Sequence, residues 1–306
     1  MDNLLRIADI TVEDVFQILG TAKRMKAKTL TQTVEGKTIA LLFEKPSLRT
    51  RVSFEVAMNR LDGNTINLTP QEIGLNGREP LEDIARVLDR YVDGIVLRTF
   101  EQETIDVMAK HTKAPVINAL SDIEHPCQAL ADLLTITEYK KDLSKITIAF
   151  IGDGNNVSTS LALACSLVGA SFRIACPTDY QLTENIVAQV NSNISLYGGA
   201  FEQLTDPTLA VEGADVIYTD VWVSMGQDEA RDTRIKAFQG YQVTEKLIGH
   251  AKKDAIFMHD LPAHRGEEIS ENILDHPQSV VFDQAENRLH AQQAVLAMLL
   301  QAANKV

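Results

Sequence analysis

The sequence predicts an α/β protein built from two doubly wound parallel-sheet domains. Short apolar, β-rich runs alternate with segments whose apolar residues recur every three or four positions, the pattern of parallel strands joined by helices. At 306 residues, 45% hydrophobic and 23% charged, the chain is longer than one core usually organises. The polar, lysine-bearing stretch "TEYKKDLSK" (137–145), near the middle, marks a seam between two domains.

In chain order, "KTIALLF" (37–43) is a strand, apolar along most of its length as a strand covered on both faces must be. Its helix follows in "VSFEVAMNRL", where Phe54, Ala57, Met58 and Leu61 share one face. "PLEDIARVLDRY" is helical by the same spacing and leads to the strand "GIVLRTF" (94–100). "APVINAL" (114–120) is the next strand, followed by the helical "HPCQALADLLTITEYKK". Beyond the seam come "KITIAFIG" (145–152), "FRIACP" (172–177), "ADVIYTD" (214–220) and "DAIFMHD" (254–260). The final segment, "QAENRLHAQQAVLAMLLQAANKV", is a long helical pattern with no strand after it.

Charge and composition exclude several roles. Lysine plus arginine number 29 against 42 for aspartate plus glutamate, a net charge of −13 that disfavours nucleic acid and anionic membrane as partners. Cys127, Cys165 and Cys176 form no CxxC pair and close no disulfide framework, which fits a reducing cytoplasm. The opening segment lacks the basic-then-apolar order of a signal peptide, and no apolar run approaches the roughly 20 residues of a membrane helix. A soluble, cytoplasmic protein is expected.

Ligands of open α/β sheets sit beyond the carboxyl ends of the strands, so the polar residues there are the candidates. "EKPSLRT" is a strand-to-helix loop whose free amides, Ser47 and Thr50 hydroxyls and Arg49 form an anion cradle; Arg51 points elsewhere and braces the helix. The plain alternative is a Ser N-cap with solvated arginines. Arg98 follows the next strand, His125 and Gln128 open a helix, and Arg288 lies near the last helix start. A helix N-terminus would lower the pKa of His125 and keep it a neutral hydrogen-bond donor. "GDGNNV" imitates a dinucleotide fingerprint, but Val157 replaces the third glycine, and Asn155 and Asn156 suggest a polar small molecule instead. Asp220 and Ser224 follow a strand and suit an ammonium group. His259, Asp260 and His264 lack the third or fourth partner of a zinc site, so neither metal nor cofactor is expected.

Taken together and in order, "SLRTR", "LRT", "HPCQALAD", "GDGNN", "DVWVSMG", "HDLPAHRGEE" and "AENR" resemble the transcarbamoylase family, most closely its ornithine-specific branch. The resemblance runs from about residue 37 to the C-terminal helix. It implies a carbamoyl-phosphate domain (1–140, completed by a returning C-terminal helix, 285–306), an ornithine domain (145–284), and a homotrimer or multiple of trimers. Residue by residue, it implies a carbamoyl-phosphate site of Ser47, Leu48, Arg49, Thr50, Arg98, His125, Pro126, Cys127, Gln128, Asp260, Leu261 and Arg288. Arg98, His125 and Asp260 would be the catalytic residues. The ornithine contacts would be Asn156, Asp220, Ser224 and Met225. Two departures stand out. Leu48 replaces a threonine but keeps the backbone amide, and Asp260 replaces a cysteine, where it would pair with a substrate ammonium and take its proton. A loop within "PQEIGLNGREPLEDIARVL" corresponds to one that reaches a neighbouring subunit in relatives, with no residue assignable to that contact. Other amines (putrescine, N-acetylornithine, aspartate) and a non-catalytic carbamoyl-phosphate binder are the alternatives.

Overall fold

The computed structural model describes residues 1–73, 79–224 and 228–302. The chain forms two units, one of Met1–Leu134 with Glu286–Val306, the other of Thr135–Ala285.

The first unit contains α1 (Val12–Lys26), β1 (Thr38–Phe43), α2 (Leu48–Arg60), β2 (Asn64–Leu68), α3 (Pro70–Ile73), α4 (Leu81–Leu88), β3 (Gly94–Arg98), α5 (Gln102–His111) and β4 (Val116–Leu120). It also holds the start of α6 (Pro126–Tyr139). Its sheet is parallel, in the order β2-β1-β3-β4. The central strands are the apolar runs expected from sequence: Ile39–Leu42 and all of β3 are buried. Leu4 extends the β4 edge, its amide donating to the Val116 carbonyl and its carbonyl accepting from Asn118.

The second unit contains β5 (Thr147–Ile151), α7 (Asn156–Leu167), β6 (Ser171–Ala175), α8 (Glu184–Tyr197), β7 (Phe201–Leu204), α9 (Pro207–Val211), β8 (Val216–Thr219), α10 (Arg231–Ala237), α11 (Glu245–Ile248) and β9 (Ile256–His259). Its parallel sheet runs β7-β6-β5-β8-β9. Helix α7 is buried along Val157–Leu167, so it carries small and apolar residues all round rather than one stripe. The last helix, α12 (Val281–Ala302), belongs from Glu286 onward to the first unit. Its Leu300 lies against Gly94, where a Cβ would come within 3.2 Å of the leucine side chain.

Two strands, β2 and β7, do not appear among the runs read from the sequence. Each is the edge of its sheet and only partly buried, so "NTINL" and "FEQL" carry polar residues where central strands are apolar. Both sheets change direction internally: the chain winds outward from β1 through β2 and then returns to β3, and outward from β5 through β7 before returning to β8. The crevices between β1 and β3 and between β5 and β8 are the switch points where such sheets hold ligands. Among the described residues, no helix is long and apolar enough to cross a membrane.

Candidate functional site

In the first unit, the residues following β1, β3 and β4 come together. Ser47 caps α2, its Oγ accepting from the Thr50 amide at 3.3 Å and donating to Thr50 Oγ1 at 2.9 Å. The plain capping reading thus holds, but the cap is not all. Arg288 reaches from α12 to the same Thr50 hydroxyl at 2.6 Å, and Thr50 is fully buried. Arg98, the last residue of β3, sits in register with Phe43 at the end of β1, and its carbonyl accepts from the Glu44 amide at 2.8 Å. His125 immediately precedes α6 and is buried, as are Arg98 and Arg288.

Burial above all, then the positive charges of Arg288 and Arg98, hold the His125 pKa well below its ordinary value. The neutral state expected from sequence follows, though burial leads and not the helix terminus. Gln128 donates to Asp132 at 2.8 Å, while its Oε1 is buried with no hydrogen-bond partner among the described residues. Cys127 packs with Sγ 3.4 Å from the Asn118 carbonyl, and burial pushes its thiol up to about 12, so it is no nucleophile. Pro126 opens α6, where the missing N–H costs nothing. Arg51 pairs with Glu55 at 2.9 Å, the bracing role expected, whereas the buried Nε of Arg49 finds no partner among the described residues. Leu48 is 76% exposed, leaving its amide as its contribution to the loop.

Lys45 was missed by sequence reasoning. Its ammonium lies 4.4 Å above the Phe100 ring, and burial followed by the Arg98 charge lowers its pKa. The signal was present, a lysine two residues after the strand-ending Phe43, but nothing local separates it from a surface cation. Buried guanidinium groups acting on one histidine, beside a hydroxyl pair and the N-terminal turn of α2, are chemically suited to a multiply charged anion.

In the second unit, the ends of β5, β8 and β9 build a cluster of opposite sign. Asn155 caps α7 by accepting from Val157 and Ser158 amides at 3.0 and 3.1 Å, and its Nδ2 donates to Asp220 Oδ2 at 2.7 Å. The other Asp220 oxygen accepts from the Val221 amide at 2.7 Å. Side-chain ligand atoms of Asp220, His259 and Asp260 lie within 4.8 Å of one another. Burial first, then the charge of Asp260, raises the Asp220 pKa well above the usual carboxylate value, and a hydrogen bond between the two carboxyls adds to it. Burial and the neighbouring carboxyl thus both favour the protonated form of Asp220. Asn156 and Ser224 stand half-exposed at the first position of α7 and on the loop after β8. Met225 and the 74–78 part of the loop that reaches a neighbouring subunit in relatives lie outside the described residues.

Burial disfavours a charge on the His259 ring, while hydrogen bonds to Asp260 and Glu268 draw its pKa upward, towards about 9. The Leu261 amide donates to Nδ1 at 2.9 Å, which requires a lone pair there. The two influences oppose, and the amide, fixed by the chain, decides: we assign the proton to Nε2, facing Glu268 Oε1 at 3.2 Å. Leu261 holds this turn with φ +60° before a cis peptide to Pro262.

Two further features were not legible as site elements. Arg234, buried in α10, donates from Nε to the Trp222 carbonyl at 2.6 Å and pairs with Asp153, with its guanidinium 4.7 Å from the Tyr180 ring. It thereby joins the loop after β8 to the loop after β5. Gly154 explains the incomplete fingerprint: a Cβ there would lie 2.6–2.7 Å from the backbone of residues 180–182, so the glycine answers to a close chain crossing and not to a dinucleotide.

Residues 2–138 match the family model described as the carbamoyl-P binding domain of aspartate/ornithine carbamoyltransferase, and residues 144–299 match its Asp/Orn binding domain. The ornithine carbamoyltransferase of Pyrococcus abyssi is 49% identical over 302 residues, covering 97% of this chain and 95% of that protein. The anabolic ornithine carbamoyltransferase of Pyrococcus furiosus is 48% identical, covering 97% and 96%. A solved structure of ornithine carbamoyltransferase from Pyrococcus furiosus superimposes with a TM-score of 0.94 over 98% of this chain and 97% of that one. The anabolic ornithine carbamoyltransferase of Campylobacter jejuni also reaches 0.94 at 36% identity, over 99% and 100%.

Proposed function

Because the chain belongs to the aspartate/ornithine carbamoyltransferase family, we propose that it transfers the carbamoyl group of carbamoyl phosphate to the δ-amine of L-ornithine, giving L-citrulline and phosphate. Residues 1–140, completed by 285–306, hold carbamoyl phosphate, and residues 145–284 hold the amine. Ser47, Arg49 and the Leu48 amide take the phosphate, with Gln128 and the α6 start at Pro126 and Cys127 completing its surroundings. Thr50, Arg98 and His125 address the carbamoyl oxygen, with Arg288 holding Thr50 in place. That oxygen gains negative charge as the amine adds to the carbamoyl carbon, so donors fixed around it stabilise the tetrahedral intermediate more than the ground state. Neutral His125 donates one N–H there without releasing a proton. Collapse of the intermediate expels phosphate, with no covalent enzyme intermediate; holding both substrates supplies much of the acceleration.

The choice of amine rests on one observation: buried Asp220 and partly buried Asp260 stand together at the ends of β8 and β9. A pair of carboxyls repels the second carboxylate of aspartate and attracts an ammonium. Asp220 takes the α-ammonium, Asn156, Ser224 and Met225 complete the ornithine contacts, and Asp260, with Leu261 beside it, accepts the proton lost by the attacking δ-amine. Asp260 so replaces the cysteine usual in this branch. The relatives named anabolic support a role in arginine biosynthesis, and family membership supports a cytoplasmic homotrimer or multiple of trimers.

A colorimetric ureido-product assay with carbamoyl phosphate and ornithine, aspartate, putrescine or N-acetylornithine tests the reading. Preferential turnover of ornithine is expected. Preference for another amine overturns the substrate, and no product with any amine overturns the reaction in favour of a carbamoyl-phosphate binder.

A further inference from the structure

The sequence offered His259, Asp260 and His264 as a ligand set short of partners. The fold gives His264 different ones. The turn from His264 to Glu268 reverses at Gly266 (φ +88°) and closes on itself, the Glu267 amide donating to the His264 carbonyl at 3.0 Å and the His264 amide to Glu268 Oε1. This closure aims three side chains at one point: His264 Nδ1 lies 3.9 Å from Glu267 Oε2 and 3.9 Å from Glu268 Oε2.

The remaining oxygen of each carboxylate is occupied. Arg231 takes Glu267 Oε1, while His259 Nε2 and the His264 amide take Glu268 Oε1. The three facing atoms are shut off from solvent and have no hydrogen-bond partner among the described residues, and Glu268 as a whole is fully buried. Two buried carboxylate oxygens gathered around an imidazole nitrogen are unfavourable unless a positive centre lies between them. At 3.9 Å the atoms are too far apart to hydrogen-bond directly. The spacing suits ligands of one ion, since metal bonds of about 2.2–2.4 Å subtend roughly 110–125° across it. Asp220, by contrast, has both oxygens engaged by the Asn155 and Val221 donors, so its cluster is a poorer candidate.

We propose that His264 Nδ1, Glu267 Oε2 and Glu268 Oε2 bind a divalent cation of Mn²⁺ size, with water completing its coordination. One imidazole with two carboxylates and no thiolate favours such a first-row ion over a sulfur-seeking one. The ion anchors Glu268, whose other oxygen holds His259, and so fixes the segment from 259 to 268. The site uses no substrate and is independent of the proposed reaction.

Protein stripped with EDTA and titrated with Mn²⁺, with the free ion followed by electron paramagnetic resonance, tests this. One saturable site per chain is expected, together with a higher melting temperature in Mn²⁺. His264→Asn and Glu267→Gln keep side-chain size at partly exposed positions, and each weakens binding roughly tenfold or more. Far-UV circular dichroism establishes that the variants fold; should either not, the wild-type titration decides. Absence of saturable binding overturns the proposal, and so does binding unchanged in both variants.

Discussion

Arg288 Nη2 donates to Thr50 Oγ1 at 2.6 Å, joining residues 238 positions apart. Ser47 Oγ donates to the same oxygen at 2.9 Å. With both acceptor positions filled, the Thr50 hydroxyl has only its proton to offer, so the pair turns an ordinary threonine into a directed donor.

Thr50→Val removes that donor without changing shape. Carbamoyl-phosphate affinity should fall about twofold to tenfold, as a hydrogen bond to a neutral carbonyl oxygen is worth about 0.5–1.5 kcal/mol, and kcat should fall further. Thr50→Ser should restore most of it, as read by calorimetric titration. Equal affinity in wild type and Thr50→Val would remove Thr50 from the ligand.

In the proposed reaction, ornithine's ammonium favours ionised Asp220, against the protonated form that burial and Asp260 favour. Since the Asp220 pKa is raised, kcat/KM for ornithine should climb as pH rises from the ordinary carboxylate range through that raised value. Asp260→Asn removes the partner charge, moves this limb to lower pH and cuts kcat by about 10² or more. A pH–rate profile unchanged in the variant would rule out the assigned role.

The same raised pKa carries a stability consequence. Folded Asp220 keeps a proton that the unfolded chain releases above about pH 3.9, so this residue opposes folding increasingly as pH rises through that window. Asp220→Asn should be inactive yet melt higher than wild type at pH 8, by on the order of a few degrees. The difference should close towards pH 4, and scanning calorimetry across pH reads it directly.

Arg234 touches the Trp222 carbonyl and Asp153, and through them the two loops bearing Asp220 and Asn155. Arg234→Met should raise the KM for ornithine roughly tenfold or more, since misplacing supports of this kind loosens binding geometry. The dissociation constant for carbamoyl phosphate should not move, and Arg234→Lys should recover part of the loss. A parallel loss of both substrates would mark a merely structural role.

Central strands were legible in the sequence because burial on both faces forces unbroken apolar runs, as in "TIALLF" and "GIVLR". Edge strands β2 and β7 were not, because half-exposed residues need no such run. Candidate site residues at strand ends, such as Arg98 and Asp220, were nominated by that position alone. What sequence could not supply was company: that Arg288 meets Thr50, that Lys45 lies over Phe100, or that Gly154 lies against the backbone of residues 180–182. These are long-range meetings with no local imprint.

The return of α12 to the first unit sets an order of assembly during translation. Everything from Thr135 to Ala285 must leave the ribosome before Leu300 can settle against Gly94 and Arg288 can reach Thr50. The half that emerges earliest is therefore finished last, with an apolar bed uncovered while its neighbour is still being made. A nascent chain of this design is most open to chaperones and proteases in that interval.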